Sequence, residues 1–141
     1  MESTSRENLI AKARAKYVGD EPNYVKFKYK GFVCEIKRHE YLLTLCGYAS
    51  FRAKYPINNE QYRNALENID VHGGVTYFEI SPSEKVTIGF DCAHYNDLSP
   101  TLQILEGKNN YKEYRTVDFV KREIQKMVDQ IIKINDQLSA D

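Results

Sequence analysis

Tyr24-Val25-Lys26-Phe27-Lys28-Tyr29-Lys30-Gly31-Phe32-Val33-Cys34-Glu35-Ile36-Lys37-Arg38 is the stretch whose reading decides the fold. Val25, Phe27 and Tyr29 share one face of an extended chain; Tyr24, Lys26 and Lys28 take the other. After Lys30-Gly31, which predicts a turn, Phe32, Cys34 and Ile36 point the same way as the first apolar set. A period of two with one charged face is the pattern of strands whose sheet keeps one side in water.

Further along, Tyr41–Tyr48 is more uniformly apolar and predicts a central third strand, completing an antiparallel meander. Val75–Ile80 and Val86–Phe90 predict two more strands, separated by Ser81-Pro82-Ser83-Glu84-Lys85. Between these groups, Asn58 or Asn59 is placed to cap a short helix through Tyr62, Ala65 and Leu66, although Pro56 and the polar density around it favour a loop. Residues 91–115 read as one long, irregular polar segment, and loops of that length in a compact domain are usually functional or disordered.

Helices are expected at both ends. Thr4-Ser5-Arg6-Glu7 matches a capping box, and Leu9, Ile10, Ala13 and Tyr17 then recur at helical spacing up to Gly19. Thr116 predicts the cap of a second, longer helix. In it Val117, Val120, Ile124, Met127, Ile131, Ile134 and Leu138 form a stripe at spacings of three and four, widened by Val128 and Ile132. The first half of that stripe is expected to pack on the sheet. The second half is expected to overhang it and pair with another copy, giving a homo-oligomer through the C-terminal helix. The expected fold class is therefore α+β: one domain over 1–141, an antiparallel sheet of about five strands, a short N-terminal helix and a long C-terminal helix on one face.

Composition narrows the class of function. The 141 residues carry 20 basic and 20 acidic side chains, a balance that argues against general nucleic-acid binding. The charge is nonetheless uneven: 11 Lys/Arg against 6 Asp/Glu in residues 1–57 (net +5), and 9 against 14 afterwards (net −5). The simple explanation is solvated faces; the other is a basic front sheet that meets an anionic ligand. Eleven tyrosines and no tryptophan point to half-exposed rings with a polar tip available to a ligand. No apolar stretch is long enough to span a bilayer. Met1–Arg6 is polar and no signal-peptide core follows it. The expected location is a cytoplasm, with Cys34, Cys46 and Cys92 as free thiols, since their spacing lacks the local pairs of a zinc site. Cys34 and Cys46 read as core residues, while Cys92 beside His94 has the alternative of an activated thiol.

Three short segments hold the residues capable of chemistry: Leu45-Cys46-Gly47-Tyr48, Val71-His72-Gly73-Gly74-Val75-Thr76-Tyr77 and Ile88-Gly89-Phe90-Asp91-Cys92-Ala93-His94-Tyr95-Asn96-Asp97. Pairing the strands that enter after Gly74 and leave at Phe90 brings His72 within side-chain distance of Asp91–His94. His72 and His94 can serve as acid, base or ligand, with Asp91 and Asp97 orienting them. Gly73-Gly74 can present consecutive N–H groups to an anion. Tyr48, Tyr77 and Tyr95 flank the cluster, and Arg52, Lys54, Arg115 and Arg122 are candidates for phosphate. Each residue also has a structural explanation: loop hydrogen bonds for Asp91 and His94, a turn or bulge for the glycines, and sheet packing for the tyrosines.

The same segments, with Pro100, Tyr114-Arg115 and a final Val-x-x-Glu helix, resemble a widespread family of small uncharacterised bacteriophage and prophage proteins. The likeness spans roughly residues 29–138 and rests on these motifs. The family's strand before Gly89 commonly carries tryptophans, where this chain has Val86-Thr87-Ile88. The resemblance implies a phage accessory protein in a bacterial host cytoplasm, and such proteins often counter host defence. The expectation is a binder of a small nucleotide-derived signal, such as a cyclic nucleotide or ADP-ribose derivative, with no cofactor and no metal. Its ligand-binding residues would be His72, Gly73, Gly74, Tyr48, Tyr77, Asp91, His94, Tyr95, Asn96, Asp97 and Arg115. The alternatives are a hydrolase of such compounds using His72, Asp91, His94 and Asp97, with or without a metal, and a binder of a host protein.

Overall fold

A computed structural model describes the backbone of residues 2–107 and 111–139 and the side chains of 5–107 and 111–138. Its centre is a five-stranded antiparallel sheet: β1 (Tyr24–Tyr29), β2 (Phe32–Arg38), β3 (Leu45–Arg52), β4 (Tyr77–Ile80) and β5 (Lys85–Asp91), in the spatial order β1-β2-β3-β5-β4. Among the described residues four α-helices accompany it: α1 (Glu2–Ala13), α2 (Glu60–Glu67), α3 (Pro100–Glu106) and α4 (Val117–Ser139). This is the α+β architecture that the alternation and the terminal helical stripes predict.

The β1–β2 hairpin has the predicted faces. Phe27 lies opposite Cys34 and Val25 opposite Ile36, and all four belong to the core on which α4 packs. Val120, Ile124, Met127, Val128 and Ile131 of α4 have no exposed surface. At about 1.5–3 kcal/mol for each large apolar side chain removed from water, this face is a dominant stabilising term. Thr116 does cap the helix, its Oγ1 accepting from Phe119 N at 3.1 Å. A carboxylate reinforces that end: Glu21 Oε2 accepts from Val117 N at 2.8 Å, where the helix dipole favours negative charge.

The expected overhang of α4 is not found. Ile131 is fully buried within its own chain, and Ile134 and Leu138 pack against the same core. The cover comes from the segment after β3 and from α2, where Tyr62 donates through its hydroxyl to Asn135 Oδ1 and Tyr55 to Asn135 O. Residues 49–70, read as mixed and loop-like, supply what the sheet alone is too narrow to provide. Asn59 caps α2 as its position suggests, accepting from Tyr62 N at 3.0 Å.

Several element boundaries differ from the sequence reading. The third strand lies at Leu45–Arg52 rather than Tyr41–Tyr48. His39 Nδ1 accepts from Tyr41 N and Leu42 N, Leu43 N donates to His39 O, and Leu43 adopts φ +65°, so these residues form a turn. β4 starts at Tyr77 rather than Val75. The polar segment 91–115 contains α3, with Ser99 accepting from Leu102 N as N-cap, Pro100 in the first turn and Gly107 at φ +64° as C-cap. At the other end, the helix runs from Glu2 to Ala13 and continues as a π-helical turn, Arg14–Val18, that stops at Gly19. Its start precedes the predicted Thr4 cap, whose side chain lies outside the described ones.

α1 packs against α3 over a small second core of Ala13, Val18 and Leu43. Beside it Arg38 is buried, donating to Leu43 O (3.0 Å), Pro22 O (3.0 Å), Asn23 Oδ1 (3.2 Å) and Tyr114 Oη (2.7 Å), with Glu21 as counter-charge at 3.4 Å. A buried guanidinium is tolerable only when its donors are satisfied, and here they tie the end of β2 to the segment entering α4. Among the described residues no helix is long and apolar enough to cross a membrane.

Candidate functional site

Asp97 is the hub of the polar cluster. It is 4% exposed, and three groups from three segments converge on its carboxylate. His72 Nε2 lies 2.9 Å from both oxygens, Arg115 Nε donates to Oδ1 at 2.8 Å, and His94 N donates to Oδ2 at 2.9 Å. Burial alone would raise the carboxyl pKa; the bonds from Arg115, His72 and the His94 backbone outweigh it and hold the group below the usual range. An ionised carboxylate only accepts, so His72 must present its proton on Nε2.

Each partner is held in turn. The turn at Val71–Gly74 closes with Gly74 N donating to Val71 O at 2.7 Å. Two side chains of α4 position it: Glu123 Oε1 accepts from His72 N, and Gln130 both accepts from Asp70 N and donates to Asp70 O. The His72 ring stands edge-on to Phe119, with centroids 5.1 Å apart, and the Arg115 guanidinium lies over the same ring at 5.0 Å. Arg115 also bonds Glu113, and the 94–98 turn is stitched to that segment by Glu113 N to Asn96 O and Leu98 N to Glu113 O.

The second imidazole is less fully satisfied. His94 Nε2 lies 3.2 Å from Asp91 Oδ1, close enough for attraction, yet the geometry makes no hydrogen bond and the buried Nε2 has no such partner among the described residues. The ring rests on Gly73, where a β-carbon would come within 2.0 Å of Nε2. Gly73 is thus required twice, by its φ of +70° and by the imidazole above it. Asp91 Oδ1 also accepts from Ala93 N at 3.1 Å.

Of the eleven expected ligand residues, His72, Gly73, Asp91, His94, Asp97 and Arg115 meet in this network. Tyr48 and Tyr77 form a separate pair on the sheet face away from α4, with rings 5.2 Å apart and nearly perpendicular. Tyr48 lies over Gly89, whose missing side chain makes room for it, and Lys37 Nζ sits 5.3 Å from the Tyr48 ring. Of the phosphate candidates, Arg115 is committed to Asp97 and Glu113, and Arg122 lines a different groove beside Asp70 and Asp129. Lys54 stands over Tyr55. They do not converge. Cys34 and Cys92 are buried and Cys46 half-buried. Burial pushes the Cys34 thiol up to about 11 and raises those of Cys46 and Cys92 as well, so Cys92 has none of the thiolate character of an activated nucleophile.

A cleft of about 230 Å³ opens beside the hub, lined by His94, Asp97, Ala93, Leu42 and Thr44 on one side and by Ser99, Leu102, Gln103 and Glu106 with Lys112 on the other. The α3 residues of this wall were missed in the sequence reading. Ser99-Pro100 followed by Gly107 was the signal for them, an N-cap with Pro in the first turn and a glycine stop. Among the described residues no group of three or more His, Cys, Asp or Glu is disposed to hold a metal ion. The chain matches no protein-family model, no curated protein and no solved structure.

Proposed function

We propose that this is a phage accessory, anti-defence protein that binds and sequesters a small nucleotide-derived signal, a cyclic nucleotide or an ADP-ribose derivative, in the cleft beside His94 and Asp97. The observation that carries the reading is the saturation of Asp97 by His72, Arg115 and the His94 backbone. A general base, nucleophile or metal ligand needs a lone pair facing the reactant. The best-placed carboxylate of the cluster spends its own on the protein. Such a hub makes a rigid wall, and a rigid wall with polar groups at its rim is what tight binding without turnover requires.

The segments ending at Tyr77 and Asp97, far apart in sequence, supply His72 and the Asp97 carboxylate of the hub, which supports a common purpose for these two motifs. Binding is proposed for the single chain, because the stripe of α4 expected to join two copies is taken up by its own core. The Asp91–His94 pair is the set a hydrolase would have to use instead.

The test is to incubate the protein with cyclic nucleotides and cyclic ADP-ribose isomers, remove free ligand, denature with heat and identify what is released. Intact ligand near one equivalent per site supports sequestration. Cleaved product exceeding the protein concentration overturns it in favour of the hydrolase. Native mass spectrometry of the purified protein reports copy number, retained small molecules and any co-purifying host protein in the same experiment.

A further inference from the structure

Tyr95 and Tyr111 belong to neither the hub nor the core. They are 75% and 54% exposed, and their rings lie 5.5 Å apart with planes tilted by 30°. Each is next in sequence to a residue of the cleft: Tyr95 follows His94, and Tyr111 precedes Lys112. Two large, exposed rings in contact with one another, each adjoining in sequence a residue of the cleft lining, offer a surface on which a third flat ring gains contact at little conformational cost.

We propose that Tyr95 and Tyr111 are the stacking platform for a purine, and that the ligand of the cleft is a purine nucleoside phosphate whose anionic group meets Lys112. The inference rests on the nucleotide-binding reading above and adds the element that selects the base. Size supports the division of labour. At about 230 Å³ the cleft is smaller than the roughly 300–1,000 Å³ that enclose whole drug-sized ligands. It suits the sugar and phosphate and leaves the base outside, at the rings. The lining fits those groups: Lys112 is a mobile point charge for phosphate, Gln103 and the carboxylate of Glu106 are partners for ribose hydroxyls, and Leu42 and Leu102 cover the apolar edge of the sugar.

AMP and ribose 5-phosphate are the probes, titrated by calorimetry into the wild-type protein and into Tyr95→Ala, Tyr95→Phe and Tyr111→Ala. All three substitutions are at exposed rings, and circular dichroism checks that the fold is retained. AMP is expected to bind at least tenfold more tightly than ribose 5-phosphate. Tyr95→Ala and Tyr111→Ala should erase that margin and Tyr95→Phe should keep it. Equal binding of the two probes, or a margin that survives both alanine variants, overturns the stacking platform while leaving the cleft as a ligand site. Failure of AMP to bind also overturns the proposal; the sequestration reading is judged separately by the heat-release experiment with cyclic ligands.

Discussion

Arg115 Nε lies 2.8 Å from Asp97 Oδ1, an ion pair that fastens the segment entering α4 to the loop following β5. His72 completes it from a third segment. One buried carboxylate thereby sets the relative position of the His72 turn, the 94–97 turn and the start of the longest helix.

Asp97→Asn keeps the shape of the side chain and removes its charge. Breaking a fully buried pair costs about 3–5 kcal/mol; Arg115 and His72 retain some contact with water, so about 2 kcal/mol is expected. In a domain of this size that lowers the melting temperature by about 6–8 °C. Calorimetry that finds the melting temperature unchanged would show the hub to be energetically inert.

The same carboxylate predicts a pH dependence. Its folded pKa is held below the ordinary value of 3.8, so its stabilising contribution is fully present above that value and is lost as pH falls through the lower folded pKa. Urea midpoints measured from pH 6 to pH 2.5 should therefore decline at the acid end. The decline should be shallower in Asp97→Asn, and identical slopes in the two proteins would exclude Asp97 as its source.

Gly73→Ala and Gly74→Ala separate two reasons for a glycine. Both positions have positive φ, +70° and +81°, but only at Gly73 would the new β-carbon strike His94. Left-handed backbone costs a non-glycine residue about 1–2 kcal/mol, which is the expected loss for Gly74→Ala. Gly73→Ala should lose more, and only it should shift the NMR signals of the His94 ring. Equal losses would mean that His94 moves aside freely.

Ile131→Asp tests the fate of the α4 stripe. A carboxylate in place of a fully buried side chain lacks both water and a partner. The variant should unfold, losing more than about 4 kcal/mol, rather than dissociate into folded chains. A folded variant with half the mass of the wild type by light scattering would restore the oligomer interface.

Much of this was legible in the sequence for local reasons. Alternation at Tyr24–Tyr29 and Phe32–Arg38 sets which face is buried, because side chains of a strand point to opposite sides whatever the rest of the chain does. The α4 stripe is equally local, since the helical period places Val120, Ile124, Met127 and Ile131 on one face. So is the proximity of His72 to Asp91–His94, which follows from pairing β4 with β5. What was misplaced was governed by partners distant in sequence. Tyr41 and Leu42 have strand-like side chains, yet the His39 ring folds them into a turn. Ile131 has the spacing of an overhanging stripe, yet it is buried in the same core as Tyr62 and Leu66 of α2, against which Tyr55 packs.

By itself, then, the sequence determined the α+β class, the inward faces of the first hairpin and of α4, and the short list of residues able to do chemistry, all of which depend on repeat spacing and side-chain type. Only the tertiary structure decided what those residues have available. It consumed the Asp97 lone pairs in Arg115, His72 and the His94 backbone, put Tyr48 over Gly89, and left Tyr95 with Tyr111 in the open beside a cleft walled by α3. A lone pair or a ring face is free or occupied according to what the rest of the chain brings within about 3–5 Å of it. Spacing along one strand or helix does not carry that information.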